Sequence, residues 1–134
     1  MRKPYILYVE DDGTSREVME IILQYNLEHV DYAIFEDSTD FEARLKRLPR
    51  KPTLIFLDIH LQPYSGFELL QMIRSQPEYR NATIVALTAS VMNEEIEELE
   101  RAGFDCAIAK PIKHDVFPGI IQRIINGERI WYIV

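Results

Sequence analysis

One cysteine, Cys106, stands among 134 residues. A lone thiol excludes an internal disulfide and cannot by itself make a metal cluster, so a reducing, cytoplasmic setting is expected. Cys106 reads as a small buried hydrophobe. Positive charge is also scarce: 15 Lys and Arg stand against 22 Asp and Glu, for a formal net charge of -7. That balance argues against direct nucleic-acid binding. The one compact basic run, "RLKRLPRK" from Arg44 to Lys51, reads as a helix end entering a loop, where cations suit the helix dipole. Long apolar runs are missing as well. None approaches the roughly 18 residues of a membrane span. The start "MRKPYILYVEDD" meets acids too early for a secretory leader.

What is present is enough for one domain with a sizeable core, since 47% of the residues are hydrophobic. Five short apolar runs have strand length and composition: residues 5–9, 30–35, 53–57, 83–88 and 104–109. Helical spacing lies between them. Val18, Ile21, Ile22 and Tyr25 share a face, as do Phe41, Leu45 and Leu48. So do Phe67, Leu70 and Ile73, and then Ile120, Ile121, Ile124 and Ile125. Thr14 with Glu17, Thr39 with Glu42 and Ser65 with Glu68 fit capping boxes, and Asn93 before Glu94 and Glu95 fits a capped start. Gly103 and Gly127 sit where helix C-terminal glycines belong, and Pro118 requires the first turn of the last helix. The fourth helix has only Ile96, Leu99 and Ala102 as its stripe and is expected to dock loosely.

Strands alternating with helices, the strands nearly continuous in apolar residues, predict an α/β doubly wound fold with a parallel sheet covered on both faces. Ligands of such sheets bind beyond the carboxyl ends of the strands. Those ends carry Glu10, Asp11 and Asp12 on the first strand, Asp58 on the third, Thr88 on the fourth and Lys110 before Pro111 on the fifth. Glu36 and Asp37, after the second, read as solvated turn residues. A crowded set of carboxylates needs a cation, and a few hard oxygen ligands suit Mg²⁺ with retained waters. A carboxylate beside such a metal can attack phosphorus and form an acyl phosphate. A lysine and a threonine hydroxyl can then hold the phosphoryl oxygens.

Taken together, "ILYVEDD", "LIFLDIHLQPYSGFELL", "IVALTA" and "AGFDCAIAKPI" resemble the receiver domain of bacterial two-component response regulators, in order and spacing. The resemblance runs to about Gly127 and implies a flavodoxin-like (βα)5 fold with strand order 2-1-3-4-5. It implies a stand-alone, chemotaxis-regulator-like receiver, cytoplasmic and not an enzyme beyond self-phosphorylation and self-dephosphorylation. Asp58 is then the phosphoacceptor, served by a histidine kinase or phosphotransfer protein. Asp11 ligates Mg²⁺ directly, Glu10 through water, and His60 through its backbone carbonyl. Thr88 is the switch hydroxyl, the Ala89 N–H stands near the phosphoryl group, Lys110 binds it, and the Lys110–Pro111 bond is cis.

Three departures from the family pattern stand out. The proline expected four residues after Asp58 is Gln62, with Pro63 next, although Gly66 keeps its usual place. The family's switch aromatic, three residues before the lysine, is Ala107. After the receiver (1–127) comes no effector domain but "ERIWYIV", residues 128–134. This apolar tail reads either as an extension packed on its own domain or as an edge for a partner. A homodimer through the face of helix four, strand five and helix five, or through the tail, is one partner arrangement; the downstream protein is not indicated.

Two rival readings use the same residues. "LYVEDDGT" resembles the first motif of a haloacid dehalogenase-type phosphatase, with Thr88 and Lys110 in its later motifs. However, its nucleophile position is Glu10, and Asp58 is left idle. A pseudo-receiver that works without phosphorylation typically loses an acid or the lysine, and this chain keeps both.

Overall fold

The apolar runs form strands because alternate side chains find two cores, one on each face of a sheet. The computed structural model describes residues 3–27, 29–90 and 92–131. Its strands are β1 (Tyr5–Val9), β2 (Asp31–Phe35), β3 (Leu54–Asp58), β4 (Thr83–Thr88) and β5 (Cys106–Ala109). All neighbours pair in parallel, in the order β2-β1-β3-β4-β5. The helices are α1 (Gly13–Ile21), α2 (Phe41–Lys46), α3 (Gly66–Arg74), α4 (Asn93–Ala102) and α5 (Phe117–Ile125). This is the flavodoxin-like arrangement expected from the sequence.

The period of two sorts the strand residues. Leu7, Val9, Ile55, Leu57, Ile84, Ala86 and Ala107 join one core with α2, α3 and α4. Ile6, Tyr8, Leu54, Phe56, Val85, Leu87, Cys106 and Ile108 join the other with α1 and α5. Cys106 is buried, as expected. The stripe of α5 is as read, with Ile120, Ile121 and Ile124 buried. Pro118 lies in its first turn.

The α1 stripe differs from the one expected. Met19, Ile22 and Leu23 are buried, whereas Ile21 is 51% and Tyr25 75% exposed. From Ile22 to Asn26 the chain winds as a π-helix. Its wider turn rotates Tyr25 off the face that α-helical spacing assigns to it. Leu69 joins Leu70 and Ile73 in the buried face of α3, where Phe67 is only half-buried. In α4 only Leu99 is fully buried, in keeping with a weakly docked helix.

Of the caps, Ser65 and Glu68 form the expected box at α3. The others shift. Asp12, not Thr14, caps α1, because its carboxylate reaches the Ser15 N–H at 2.8 Å. Asp40, in a left-handed conformation with no side-chain bond, precedes α2 in place of Thr39. Met92 precedes α4, so Asn93 is already helical. Gly103 takes the left-handed conformation that ends α4, and Gly127, also left-handed, follows α5.

Two cations of the basic run, Arg44 and Arg50, are partnered, while Lys46 and Arg47 are exposed. Arg44 bonds the Asp37 carboxylate at 2.9 Å and lies over the Phe35 ring. Arg50 bonds Asp31 and lies over the Tyr5 ring.

Candidate functional site at the carboxyl edge of the sheet

The same alternation that sorts the core also gathers the site. Glu10 continues the row of Ile6 and Tyr8, Asp58 that of Leu54 and Phe56, and Lys110 that of Cys106 and Ile108. All three therefore emerge on one face of the sheet. Each also occupies the carboxyl end of a strand that apolar neighbours hold in register.

Glu10 is fully buried and Asp58 is 4% exposed. Their burial is offset by Lys110, whose Nζ lies 3.0 Å from Glu10 Oε1 and 3.3 Å from Asp58 Oδ2. Burial raises the pKa of Glu10, and the nearby Asp58 carboxylate raises it further against the opposing pull of Lys110. Burial alone lowers that of Lys110, but Glu10 and Asp58 outweigh it and hold the ammonium above its ordinary value.

Asp11 is exposed, yet one oxygen each of Glu10, Asp11 and Asp58 lie within 4.8 Å of one another. An all-oxygen set at this spacing is able to bind a divalent metal. The three adjacent acids thus divide: Glu10 faces Lys110, Asp11 completes the oxygen cluster, and Asp12 caps α1.

Around this centre, the His60 N–H donates to Asp58 Oδ1 at 3.1 Å. The Thr88 hydroxyl, on the buried end of β4, accepts from the Ser90 N–H at 3.1 Å. Ala89 follows it and is exposed. Lys110 donates its own N–H to the Thr88 carbonyl at 2.8 Å, and the Lys110–Pro111 bond is cis. The Gln62–Pro63 bond is cis as well.

Three contributors escape a reading by motif. The Tyr8 hydroxyl, inside the core, donates to Glu10 Oε1 at 2.9 Å. Burial, followed by the Glu10 charge, raises the Tyr8 pKa, so the phenol remains a donor. Its spacing two residues before Glu10 was the available signal, since same-row neighbours on a strand can touch. The Arg16 guanidinium holds the Glu10 carbonyl at 3.0 Å. Ser38, fully buried, both donates to the Tyr64 carbonyl and accepts from the Tyr64 N–H, each at 2.8 Å. Ser38 thereby ties the loop after Asp58 to the loop after β2, and no local pattern announces a contact across 26 positions.

The family model for the response regulator receiver domain matches residues 6–122. The chain belongs to that family. It is 25% identical over 125 residues to the signal transduction histidine-protein kinase BarA of Shigella flexneri, covering 93% of this chain and 13% of that protein. The receiver thus spans only a small part of that relative's length. It is also 25% identical to the polar-differentiation response regulator DivK of Brucella anthropi, covering 89% of this chain and 91% of that one. The structure of the chemotaxis response regulator CheY4 of Vibrio cholerae superposes with a TM-score of 0.80 at 21% identity, covering 91% of this chain and 98% of that one. The receiver reading therefore displaces the dehalogenase-type phosphatase. Asp58 stands at the carboxylate cluster, where the phosphatase reading leaves it idle. No helix among the described residues is long and apolar enough to cross a membrane.

Proposed function

We propose that this receiver takes a phosphoryl group on Asp58 from a histidine kinase or phosphotransfer protein and, so modified, changes its binding to a downstream protein. The observation that carries this reading is the position of Asp58: at a strand end, 3.3 Å from the Lys110 ammonium and within the oxygen cluster of Glu10 and Asp11.

In the transfer, an Asp58 carboxylate oxygen attacks phosphorus, the bond from phosphorus to the donor imidazole nitrogen breaks, and an acyl phosphate forms. The His60 N–H on Oδ1 fixes the plane of the carboxylate. Lys110 turns from the two carboxylates to the phosphoryl oxygens, and the Thr88 hydroxyl and Ala89 N–H supply further donors. Three carboxylates against one ammonium leave two excess negative charges (3 − 1 = 2), which suits a divalent cation. Asp11, Asp58, the His60 carbonyl and, through water, Glu10 would hold Mg²⁺, which neutralises phosphoryl charge when bound. The chain is then a phosphoacceptor, not an enzyme with a separate substrate, beyond self-phosphorylation and self-dephosphorylation.

The test uses acetyl phosphate with Mg²⁺ and intact-mass analysis. One phosphoryl group is expected on the native chain and none on Asp58→Asn. Equal incorporation by the variant would overturn the assignment.

A further inference from the structure

The chain after α5 folds back onto β5, the edge strand of the sheet. Gly127 turns it at φ 100°. The Arg123 guanidinium clasps the Glu128 carboxylate through Nε at 3.2 Å and Nη2 at 3.1 Å. Ala107 then donates its backbone N–H to the Ile130 carbonyl at 2.9 Å. Ile130 is buried in the core that holds Cys106 and Ile108. Trp131, half-buried, lies against the opposite core, which holds Ala107. Residues 128–131 do not pair as a sixth strand, but Ile130 and Trp131 face opposite cores, as successive residues of an extended segment do. Ile130 and Trp131 pack on their own domain, Glu128 and Arg129 are exposed, and residues 132–134 lie outside the described residues.

One strand, β5, separates this strap from Thr88 on β4, and two, β4 and β5, separate it from Asp58 on β3. On one side β5 pairs with β4, Ala86 beside Ala107 and Thr88 beside Ala109. On its other side it bonds the strap. Thr88, Ala86 and Ala107 belong to rows on the same sheet face as Trp131, and the two between are alanines, which offer little side chain to hold either neighbour. The helix over this face, α4, buries only Leu99 fully. Its start is tethered to the Thr88 loop by the bond from the Ser90 hydroxyl to Glu95.

We infer that Trp131 senses the state of the Asp58–Thr88 site: a phosphoryl group that draws Thr88 and the end of β4 toward it loosens Trp131 and the strap from the β5 edge. This inference rests on Asp58 being the phosphoacceptor.

Trp131 is the chain's one tryptophan. Its emission can therefore be followed in the full chain during reaction with acetyl phosphate and Mg²⁺, with incorporation measured by mass in parallel. Acrylamide quenching should rise about twofold or more, in step with incorporation, as the population shifts. Asp58→Asn should show no rise. Ile130→Ala, which removes the strap's anchor, should show high quenching before the reaction and little change after it, with incorporation retained. Arg123→Ala, which alters only an exposed ion pair, should move the starting value in the same direction. Full incorporation with unchanged quenching, or an unaltered response in Ile130→Ala, would overturn the inference while leaving the phosphoacceptor reading intact. Absence of incorporation would overturn both.

Discussion

The Tyr8 hydroxyl and the Glu10 carboxylate meet at 2.9 Å inside the core, two residues apart on one strand. Glu10 is thereby held from below by a phenol and from the side by Lys110. In the proposed Mg²⁺ site Glu10 acts through water, and a partner of this kind sets the direction in which the carboxylate bonds that water. Tyr8→Phe keeps the ring in the core and removes the donor. Its Mg²⁺ affinity, measured by calorimetry on the unphosphorylated chain, is expected to drop about tenfold with little change in melting temperature. Native affinity in Tyr8→Phe would contradict this role.

Lys110 is the cation within 4 Å of both buried carboxylates among the described residues. Lys110→Ala leaves them facing each other, at a cost of roughly 3 kcal/mol in the absence of metal. Denaturant titration should show this loss, and millimolar Mg²⁺ should recover part of it. A second change, Glu10→Gln, should also recover part by removing one of the two charges.

Gly66 is required by contact rather than by backbone angle. A Cβ there would lie 2.5 Å from the Asp58 carbonyl oxygen and 3.0 Å from the Ile59 Cα. The Gly66 N–H also bonds the Ile59 carbonyl at 3.0 Å. Gly66→Ala must push apart the start of α3 and the end of β3, costing about 1–3 kcal/mol. It should also slow phosphoryl incorporation, because the displaced backbone carries Asp58.

Asp37 gives a pH signature. The Thr39 N–H, and then the Arg44 guanidinium, bond its carboxylate and lower its pKa below the ordinary 3.8. A lowered folded-state pKa means stability that is present above the unfolded value and lost as pH falls through the folded one. The stability gap between native chain and Asp37→Asn should therefore be constant near neutrality and close below about pH 4. A gap that widens on acidification would show that another group carries the effect. Asp37 is thus more than the solvated turn residue its position suggests.

Much of the site was legible because strands impose a period of two and parallel sheets place their carboxyl ends along one edge. Glu10, Asp58 and Lys110 each follow an apolar run whose register is set by burial, so reading the run locates the charge. The capping residues of α1, α2 and α4 were less legible, because several adjacent polar residues compete for each cap and the loop path selects among them. Asp12 takes the α1 cap with its bonds to Ser15, and Thr14 falls inside the helix.

By itself, the sequence determined the alternation of strands and helices, the two-faced core and the convergence of acids, threonine and lysine at one edge, because each follows from local periodicity. Only the tertiary structure decided the rest. It joined Ser38 to Tyr64, turned Tyr8 into a partner of Glu10, exposed Tyr25 through a π-turn, and laid Ile130 and Trp131 along β5. Those contacts link distant segments or depend on the winding of a single turn, and their energies arise only once the sheet has brought the surfaces together.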